Sequence, residues 1–315
     1  MLALLLAACS SGSRTPSPAP TSVPERDPAA PGAYGVGVTT MQFQRTSNTP
    51  GDPPRELPTW IWYPTDGAGA AVDGAPPASG DHRFPIVIFS HGSGGQPQFY
   101  RFFEEHLASW GYVVVAPPHP GNTTADCVLC DTPSIIESAK NRPADVNAVL
   151  DAVIALKDDP TQALGRIIDP SRTALAGHSF GGWTAMIMAK AGRFNAVIAM
   201  APGLPETLLG AAPSVRVPSL ILGAGKDEIV PPASVRKLYD ALPEDIAKTY
   251  VSLPDAHHLS FVDRCLGCTE ALPEKRGQAL TNRYATAFLQ TYLAGDDRYP
   301  HYLTEDVDAE AMIVQ

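Results

Sequence analysis

The sequence of 315 residues predicts an α/β fold, in which helices cover both faces of a mostly parallel, twisted sheet. The first indication is a series of short apolar runs, because such runs are typical of strands that are buried on both faces. The second is that helical patterns separate these runs, as right-handed strand–helix–strand crossovers require. The third is a Gly-His-Ser-Phe-Gly motif at residues 177–181, where an apolar run leads straight into a helical pattern.

Strands and helices are predicted from the hydrophobic pattern. Apolar or alternating segments predict strands at residues 34–44, 59–64, 84–90, 112–116, 172–176, 195–200, 217–223 and 248–253. Helices are predicted at residues 97–110, 143–157, 182–189, 233–242 and 274–293, and loops at residues 67–80 and 117–141. Only residues 201–216 lie between the sixth and seventh strands, so we predict no large inserted lid domain.

Composition and charge exclude one class of partner. The apolar fraction of 44% is enough for a substantial core, and the net charge is −10 at pH 7. Proteins that bind nucleic acid carry basic stripes or patches, and the sequence has no such stripe. We therefore expect no nucleic-acid partner.

The turn at residues 177–181 carries the clearest chemical signal. In a Gly-x-Ser-x-Gly turn between a strand and a helix, a strained backbone exposes the serine hydroxyl at the edge of the sheet. Gly177 and Gly181 are the small residues that this tight turn needs, and Ser179 is the predicted nucleophile. The alternative is an ordinary strand-to-helix turn that contains a serine.

A serine nucleophile needs a base, and the base needs an acid that orients it. In this arrangement of strands the acid and then the base follow the serine along the chain. Asp227 comes directly after the apolar run 217–223 and is the predicted acid. His257 and His258 follow the last predicted strand. Adjacent side chains of an extended loop point to opposite sides, so only one of these histidines can be the base.

The tetrahedral intermediate needs hydrogen-bond donors for its oxyanion. We expect one donor to be the backbone N–H of Phe180, which follows the nucleophile. The second is expected to be the N–H of Ser93, in the glycine-rich loop after residues 84–90, with Gly94 as the alternative. Gly94 and Trp183 are also predicted to contact the substrate.

Several motifs resemble those of the α/β-hydrolase superfamily, and within it the dienelactone-hydrolase-like and platelet-activating-factor-acetylhydrolase-like serine esterases. These motifs are Phe89-Ser90-His91-Gly92-Ser93-Gly94-Gly95, His119-Pro120-Gly121-Asn122, Asn141-Arg142-Pro143-Ala144-Asp145, Gly177-His178-Ser179-Phe180-Gly181-Gly182 and His258-Leu259-Ser260-Phe261. The chain departs from the acetylhydrolases, which place the acid one strand earlier, and from dienelactone hydrolases, whose nucleophile is a cysteine. The last motif is similar to the family's base followed by a small and an aromatic residue, and this similarity selects His258.

The resemblance implies a serine hydrolase that cleaves carboxylic esters of small molecules or lipids through an acyl-enzyme, with no metal and no organic cofactor. The second interpretation is a lipase or polyester hydrolase. The third is a surface lipoprotein that keeps the fold without catalysis. The joint presence of Ser179, Asp227 and His258 argues against the third interpretation.

The N-terminal residues predict export and a lipid anchor. Residues 1–10 form an apolar run, shorter than the ~20 residues that span a bilayer, and resemble an export signal. Leu6-Ala7-Ala8-Cys9 resembles a bacterial lipobox, whose cysteine receives the lipid, although no Lys or Arg precedes it. A plain signal peptide or a buried strand is the alternative. We expect residues 1–31 to be a signal and a Pro/Ser-rich tether, and residues 32–315 to be a catalytic domain held on the cell surface or in the periplasm.

The remaining four cysteines form two C-x-x-C pairs, Cys127 with Cys130 and Cys265 with Cys268. Four cysteines could bind one tetrahedral zinc ion. Export favours disulfides instead, because oxidising compartments convert thiols to disulfides. Three connectivities are compatible with the sequence, and free thiols are the last alternative.

Overall fold

The centre of the molecule is one mostly parallel sheet. The computed structural model describes residues 25–190, 192–263, 275–304 and 311–314, and these contain ten strands in the order β10-β9-β8-β7-β6-β4-β5-β2-β1-β3. The strands are β1 Gly35–Arg45, β2 Arg55–Thr65, β3 Val72–Asp73, β4 Phe84–Ser90, β5 Val113–Ala116, β6 Ile168–His178, β7 Ala196–Met200, β8 Ser219–Ala224, β9 Lys248–Leu253 and β10 Met312–Val314. Strands β4 to β9 are parallel, and antiparallel pairing is confined to β1, β2 and β10 near the two edges. The predicted fold class is confirmed.

Helices cover both faces of this sheet. They are α1 Arg101–Ser109, α2 Thr132–Ala155, α3 Phe180–Met188, α4 Pro205–Leu208, α5 Pro232–Asp240 and α6 Lys275–Leu289. A 3₁₀ turn, Pro97–Tyr100, precedes α1, and a π-helical turn, Gln290–Ala294, follows α6. Helices α1 and α6 pack on one face, and α2, α3 and α5 pack on the other. Between β7 and β8 the chain has only the single turn α4 and a short 3₁₀ turn, with no inserted domain.

Strand β4 shows why the central strands read as continuous apolar runs. All seven of its residues are buried. Val87 and Phe89 belong to the core beneath α1 and α6, whereas Ile86 and Ile88 belong to the core beneath α2, α3 and α5. Successive strand residues point to opposite faces, so a strand covered by helices on both sides must be apolar at every position.

The predicted loop at residues 117–141 is wrong in its second half, because α2 begins at Thr132 rather than at Pro143. The Asp131 side chain caps the helix by accepting a hydrogen bond from the Ser134 N–H over 2.9 Å. Pro143 lies inside the helix, a position that costs about 3 kcal/mol in an isolated helix. Buried contacts of the flanking residues, Arg142 above all, offset this cost, and a local sequence pattern does not reveal them.

The chain just before β1 lies against the body of the domain. The carbonyls of Pro28 and Ala30 accept hydrogen bonds from the His106 and Trp110 rings, both over 2.9 Å. The domain boundary at residue 31 stays a prediction. The last residues of the predicted tether nevertheless contact α1 and the turn at the end of α1. None of the helices in the described ranges is long and apolar enough to cross a membrane.

Candidate active site

Ser179 lies in the sharp turn between β6 and α3, at the carboxyl end of a central strand. Its φ of 53° and ψ of −117° fall in a region that residues other than glycine rarely adopt. The Ser179 N–H donates to the Met200 carbonyl over 2.9 Å, and the Ser179 carbonyl accepts from the Gly203 N–H over 2.8 Å. A Cβ at position 181 would overlap the Ser90 carbonyl, so Gly181 allows the helix to start this close to β4. The turn therefore has the strain that a Gly-x-Ser-x-Gly nucleophile requires.

Asp227 and His258 form a buried pair after β8 and β9. The His258 Nδ1 and Asp227 Oδ2 atoms are 2.8 Å apart, and the side chains are 5% and 1% exposed. The other oxygen of Asp227 accepts the N–H groups of Ile229 and Val230 over 2.9 and 2.7 Å. These bonds orient the carboxylate so that Oδ2 faces the imidazole. Because Nδ1 donates to the carboxylate, Nε2 is left as the basic nitrogen.

His257 is directed away from this pair. Its Nδ1 atom lies 2.7 Å from Glu228 Oε1, and the two side chains are 45% and 67% exposed. Its backbone N–H donates to Ser260 Oγ over 2.9 Å, at the start of the 3₁₀ turn His258–Phe261. The two histidines thus contact different carboxylates.

Ser179 and His258 line one cavity of about 520 Å³, a volume typical of small-molecule sites. Gly92, Ser93, Gly94 and Gly95 form part of its wall. The apolar lining includes Phe99, Val128, Leu129, Ile229, Leu259 and Val262. The serine and the histidine therefore face a pocket that suits apolar groups on either side of an ester.

The two predicted oxyanion donors lie at the start of α3 and in the glycine-rich loop after β4. Phe180 is the first residue of α3, where helical N–H groups have no partner within the helix. Ser93 lies on the cavity wall, and its hydroxyl accepts a hydrogen bond from the Asn122 amide over 3.0 Å. Trp183 is not among the residues of the described chain that line the cavity. Its indole N–H donates to Thr207 Oγ1 over 2.9 Å, in the segment between β7 and β8.

The comparison with known families decides the class of this protein. The sequence model of the PET hydrolase-like family matches residues 60–314. The chain belongs to the PET hydrolase-like family. Cutinase 2 of Thermobifida cellulosilytica is 30% identical over 224 residues, which are 71% of this chain and 74% of that protein. Cutinase cut1 of Thermobifida fusca is 30% identical over 71% of this chain and 60% of its own length. Bis(hydroxyethyl) terephthalate hydrolase of Streptomyces coelicolor is 25% identical over 92% of this chain and 76% of that protein.

Membership of the PET hydrolase-like family confirms the expectation of an α/β-hydrolase serine esterase. The chain is a carboxylic ester hydrolase.

Arg142 lies in one of the superfamily-like motifs, and the sequence alone predicts no role for it. In this PET hydrolase-like chain its side chain is fully buried behind the loop after β4. The guanidinium donates to the His91 carbonyl over 2.5 Å and to Asn122 Oδ1 over 2.6 Å, and lies 4.6 Å from the centre of the Phe180 ring. Burial lowers the pKa of Arg142 to about 9, so the group still carries its charge at neutral pH. One cation thus contacts both segments that supply the predicted oxyanion donors.

Asp145, one turn further along α2, holds a second part of this buried network. Its carboxylate binds Arg45 and Arg55 over 2.6 and 3.0 Å, and its Oδ2 lies 3.5 Å from His119. Burial alone would raise the pKa of Asp145, but the hydrogen bonds from His119 and Arg55 and the positive charge of Arg55 hold it below its usual range. Burial lowers the pKa of His119 to about 4, so this ring is neutral at pH 7. The network ties β1 and β2 to the loop that precedes α2.

The first C-x-x-C pair forms a disulfide, between Cys127 and Cys130. These two cysteines are therefore not zinc ligands, and the pairing is within the motif. The loop closed by this disulfide packs against the glycine-rich loop that carries Ser93. The Asn122 amide, which binds the Ser93 hydroxyl, also contacts Cys130 Sγ over 2.9 Å, and a Cβ on Gly94 would meet the Val128 carbonyl. Cys265, Cys268 and Cys9 lie outside the described residues.

Proposed function

We propose that this PET hydrolase-like chain cleaves carboxylic esters through an acyl-enzyme on Ser179. The observation that carries the proposal is the buried 2.8 Å contact between Asp227 and His258, because His258 shares one cavity with Ser179. Nucleophile, base and acid come from the turns after β6, β9 and β8, at the same edge of the sheet. This is the order and placement that a Ser-His-Asp triad has on a parallel sheet.

In the proposed reaction, His258 Nε2 takes the proton of the Ser179 hydroxyl as its oxygen attacks the ester carbonyl. The N–H groups of Phe180 and Ser93 bind the oxyanion, an interaction that strengthens as the charge develops. The intermediate collapses when His258 gives the proton to the leaving alcohol. Water, activated by the same histidine, then releases the acid and restores Ser179. Asp227 holds the imidazole in the required tautomer and stabilises its charged form.

For the substrate, we propose esters with a short or medium acyl chain. The cavity is lined mainly by apolar side chains, and the segment between β7 and β8 is too short to form a large lid that an interface could open. Hydrolysis of polyesters is the second candidate, and the cutinase and terephthalate-ester hydrolase relatives favour it.

The experiment is a rate series over nitrophenyl esters of increasing acyl length, with the release of terephthalate from bis(hydroxyethyl) terephthalate measured in parallel. We expect saturable hydrolysis, with kcat/KM highest for short or medium chains and with no jump above the solubility limit of the substrate. A fluorophosphonate should label the wild-type enzyme once and leave Ser179→Ala unlabelled. Labelling of Ser179→Ala, or its full activity, would show that the nucleophile lies elsewhere.

We also propose export and a lipid anchor at Cys9. The support is the lipobox-like segment Leu6-Ala7-Ala8-Cys9 followed by a Pro/Ser-rich stretch. The intact mass of protein extracted from the membranes of the producing cells should include a diacylglycerol on an N-terminal Cys9. An unmodified protein in the soluble fraction would contradict the anchor without affecting the catalytic proposal.

A further inference from the structure

A chain of three buried hydrogen bonds connects the catalytic loops. The Gly92 N–H donates to the Tyr100 hydroxyl over 2.9 Å. The same hydroxyl lies 3.1 Å from His178 Nδ1, and His178 Nε2 lies 3.0 Å from the backbone carbonyl of His258. Tyr100 and His178 are each only 2% exposed, so water does not replace these contacts.

We infer that Tyr100 and His178 are positioning residues, which hold the oxyanion loop and the proposed base at a set distance from each other. The inference rests on the proposed function, because it assigns a task to residues around that same site. Gly92 immediately precedes the proposed oxyanion donor Ser93, and His178 immediately precedes Ser179.

The direction of each of the three hydrogen bonds follows from the groups at the two ends of the series, the Gly92 N–H and the His258 carbonyl. The His258 carbonyl can only accept, so His178 carries its proton on Nε2, and Nδ1 must accept. Burial lowers the pKa of His178 well below its ordinary value and raises that of Tyr100, so the ring stays neutral and the phenol keeps its proton. The Tyr100 hydroxyl therefore donates to Nδ1 and accepts from Gly92. No other arrangement of protons satisfies all three contacts.

The sheet itself does not link these loops. Strands β7 and β8 lie between β6, which ends at His178, and β9, which precedes His258. Main-chain pairing thus leaves the nucleophile turn and the loop of the base two strands apart. The His178 side chain bridges this gap, since its ring also packs on the His258 ring with 4.7 Å between centroids. A misplacement of about 1 Å in such a site can lower the rate by 10²-fold.

Tyr100→Phe removes the central hydroxyl and keeps the ring that packs on Phe89, 4.6 Å between centroids. The matched control is Tyr112→Phe, which removes an equally buried hydroxyl that accepts from Gln290 over 3.0 Å at the far end of the sheet. Both variants are titrated with a fluorophosphonate, so that kcat is expressed per active serine. We expect Tyr100→Phe to lower kcat about 10- to 100-fold with KM changed less than about threefold, and Tyr112→Phe to leave both unchanged.

His178 supplies the second measurement. His178→Phe keeps a flat ring without either nitrogen, whereas His178→Gln keeps an N–H that can reach the His258 carbonyl. We expect His178→Gln to retain at least about tenfold more kcat per active serine than His178→Phe. Because the bonds form one chain, the double variant Tyr100→Phe/His178→Phe should lose little more than His178→Phe alone.

Two results would overturn the inference: equal kcat per active serine in Tyr100→Phe and Tyr112→Phe, or fully additive losses in the double variant. Equal kcat values would mean that the contacts serve the fold alone, and additive losses would mean that Tyr100 and His178 act independently of each other. A wild-type enzyme that the fluorophosphonate does not label would contradict the proposed function instead, so the two failures are distinguishable.

Discussion

Different kinds of interaction stabilise the two sides of the catalytic cavity, the side of the predicted oxyanion donors and the side of the acid and base. On the oxyanion side, the loops after β4 and β5 are held by fully buried charges, with Arg142 and Asp145 as the centres of the network. On the side of the acid and base, the buried Asp227–His258 contact is flanked by backbone hydrogen bonds between the loops after β8 and β9, such as that from the Lys226 N–H to the Ala256 carbonyl over 2.9 Å, and by exposed ion pairs. Glu228 with His257 and Lys226 with Asp255 are such pairs, and all four side chains are at least 45% exposed.

The difference predicts how each side responds to substitution. Breaking a buried ion pair commonly costs 3–5 kcal/mol, because the remaining charge has lost both its partner and its water. An exposed pair contributes about 0–1 kcal/mol. Substitutions of the buried charges on the oxyanion side should therefore lower stability and activity together, whereas those of the exposed pairs on the base side should leave stability nearly unchanged. The four predictions below test this contrast, from the largest effect to the smallest.

The largest effect is expected at His258. His258→Ala removes the proposed base and should lower kcat/KM by about 10³-fold or more. His257→Ala removes a half-exposed ring outside the cavity and should cost less than about threefold. The measurement is kcat/KM for both variants, with thermal melts as the check on folding. If His257→Ala is the inactive variant and His258→Ala keeps its activity, the base is misassigned.

Arg142→Met should damage stability and catalysis together. The substitution leaves the His91 carbonyl and Asn122 Oδ1 without a donor, and each such group costs about 1–3 kcal/mol. We expect the free energy of unfolding to fall by about 3 kcal/mol and kcat/KM by about 10²-fold. The control on the other side is Glu228→Gln, which should stay within about 0.5 kcal/mol of wild type. Denaturant melts that show equal losses for both variants would contradict the contrast between the two sides.

The disulfide-closed loop is expected to tune acyl preference. Leu129 is 94% exposed yet lines the cavity, so a long acyl chain could cover it while a short one could not. Leu129→Ser should lower kcat/KM for an octanoyl relative to an acetyl ester by about threefold, through KM. Val72→Ser, at an exposed apolar position on the edge strand β3, is the matched control. An unchanged ratio in Leu129→Ser would exclude contact with the acyl chain.

The smallest effect concerns Glu104 on α1. It is fully buried, and neither of its oxygens has a hydrogen-bond partner in the described chain. Burial above all, and then the charges of Asp263 and Glu105, raise its pKa well above the ordinary value, although Arg101 opposes this shift. A raised pKa means that the folded state binds the proton more tightly, so the contribution of Glu104 to stability is greatest at low pH and is lost as pH rises through the folded pKa.

Glu104→Gln keeps the shape and removes this titration. The Tm of the variant minus that of wild type should therefore increase as the pH is raised from about 4 to 9. Thermal melts across this range measure the difference. A constant difference would show that Glu104 does not change its proton affinity on folding.

Much of the fold and part of the candidate site could be predicted because their signals are local. Strands β4 and β9 have the predicted bounds, Phe84–Ser90 and Lys248–Leu253. The turn around Ser179 was also recognisable, because it is defined by two glycines and the strand and helix that flank it. Asp227 is predicted as the first acid after its strand, and its carboxylate accepts N–H groups from residues two and three positions later. His258 is chosen over His257 by the resemblance of His258-Leu259-Ser260-Phe261 to the family motif. Their catalytic roles stay predictions.

The start of α2 and the contacts of Arg142 and Trp183 could not be predicted from local patterns, because they depend on distant partners. Arg142 contacts carbonyls about 50 residues earlier in the chain, and the Trp183 indole donates to Thr207 Oγ1. The local pattern predicts a helix start at Pro143 because, without those contacts, a proline inside a helix is unfavourable.

The sequence by itself determined the layered α/β architecture and the nucleophile turn, because both are encoded in short-range patterns of size and polarity. The chemical class followed from the resemblance of its motifs to those of the α/β-hydrolase superfamily. Only the tertiary structure decided which cysteines of the described chain pair, which histidine contacts Asp227, and how Gly92 is linked to His258 through Tyr100 and His178. The physical reason is that a hydrogen bond or a disulfide depends on distances of a few ångströms between atoms. Residues 80 positions apart acquire such distances only when the sheet is assembled.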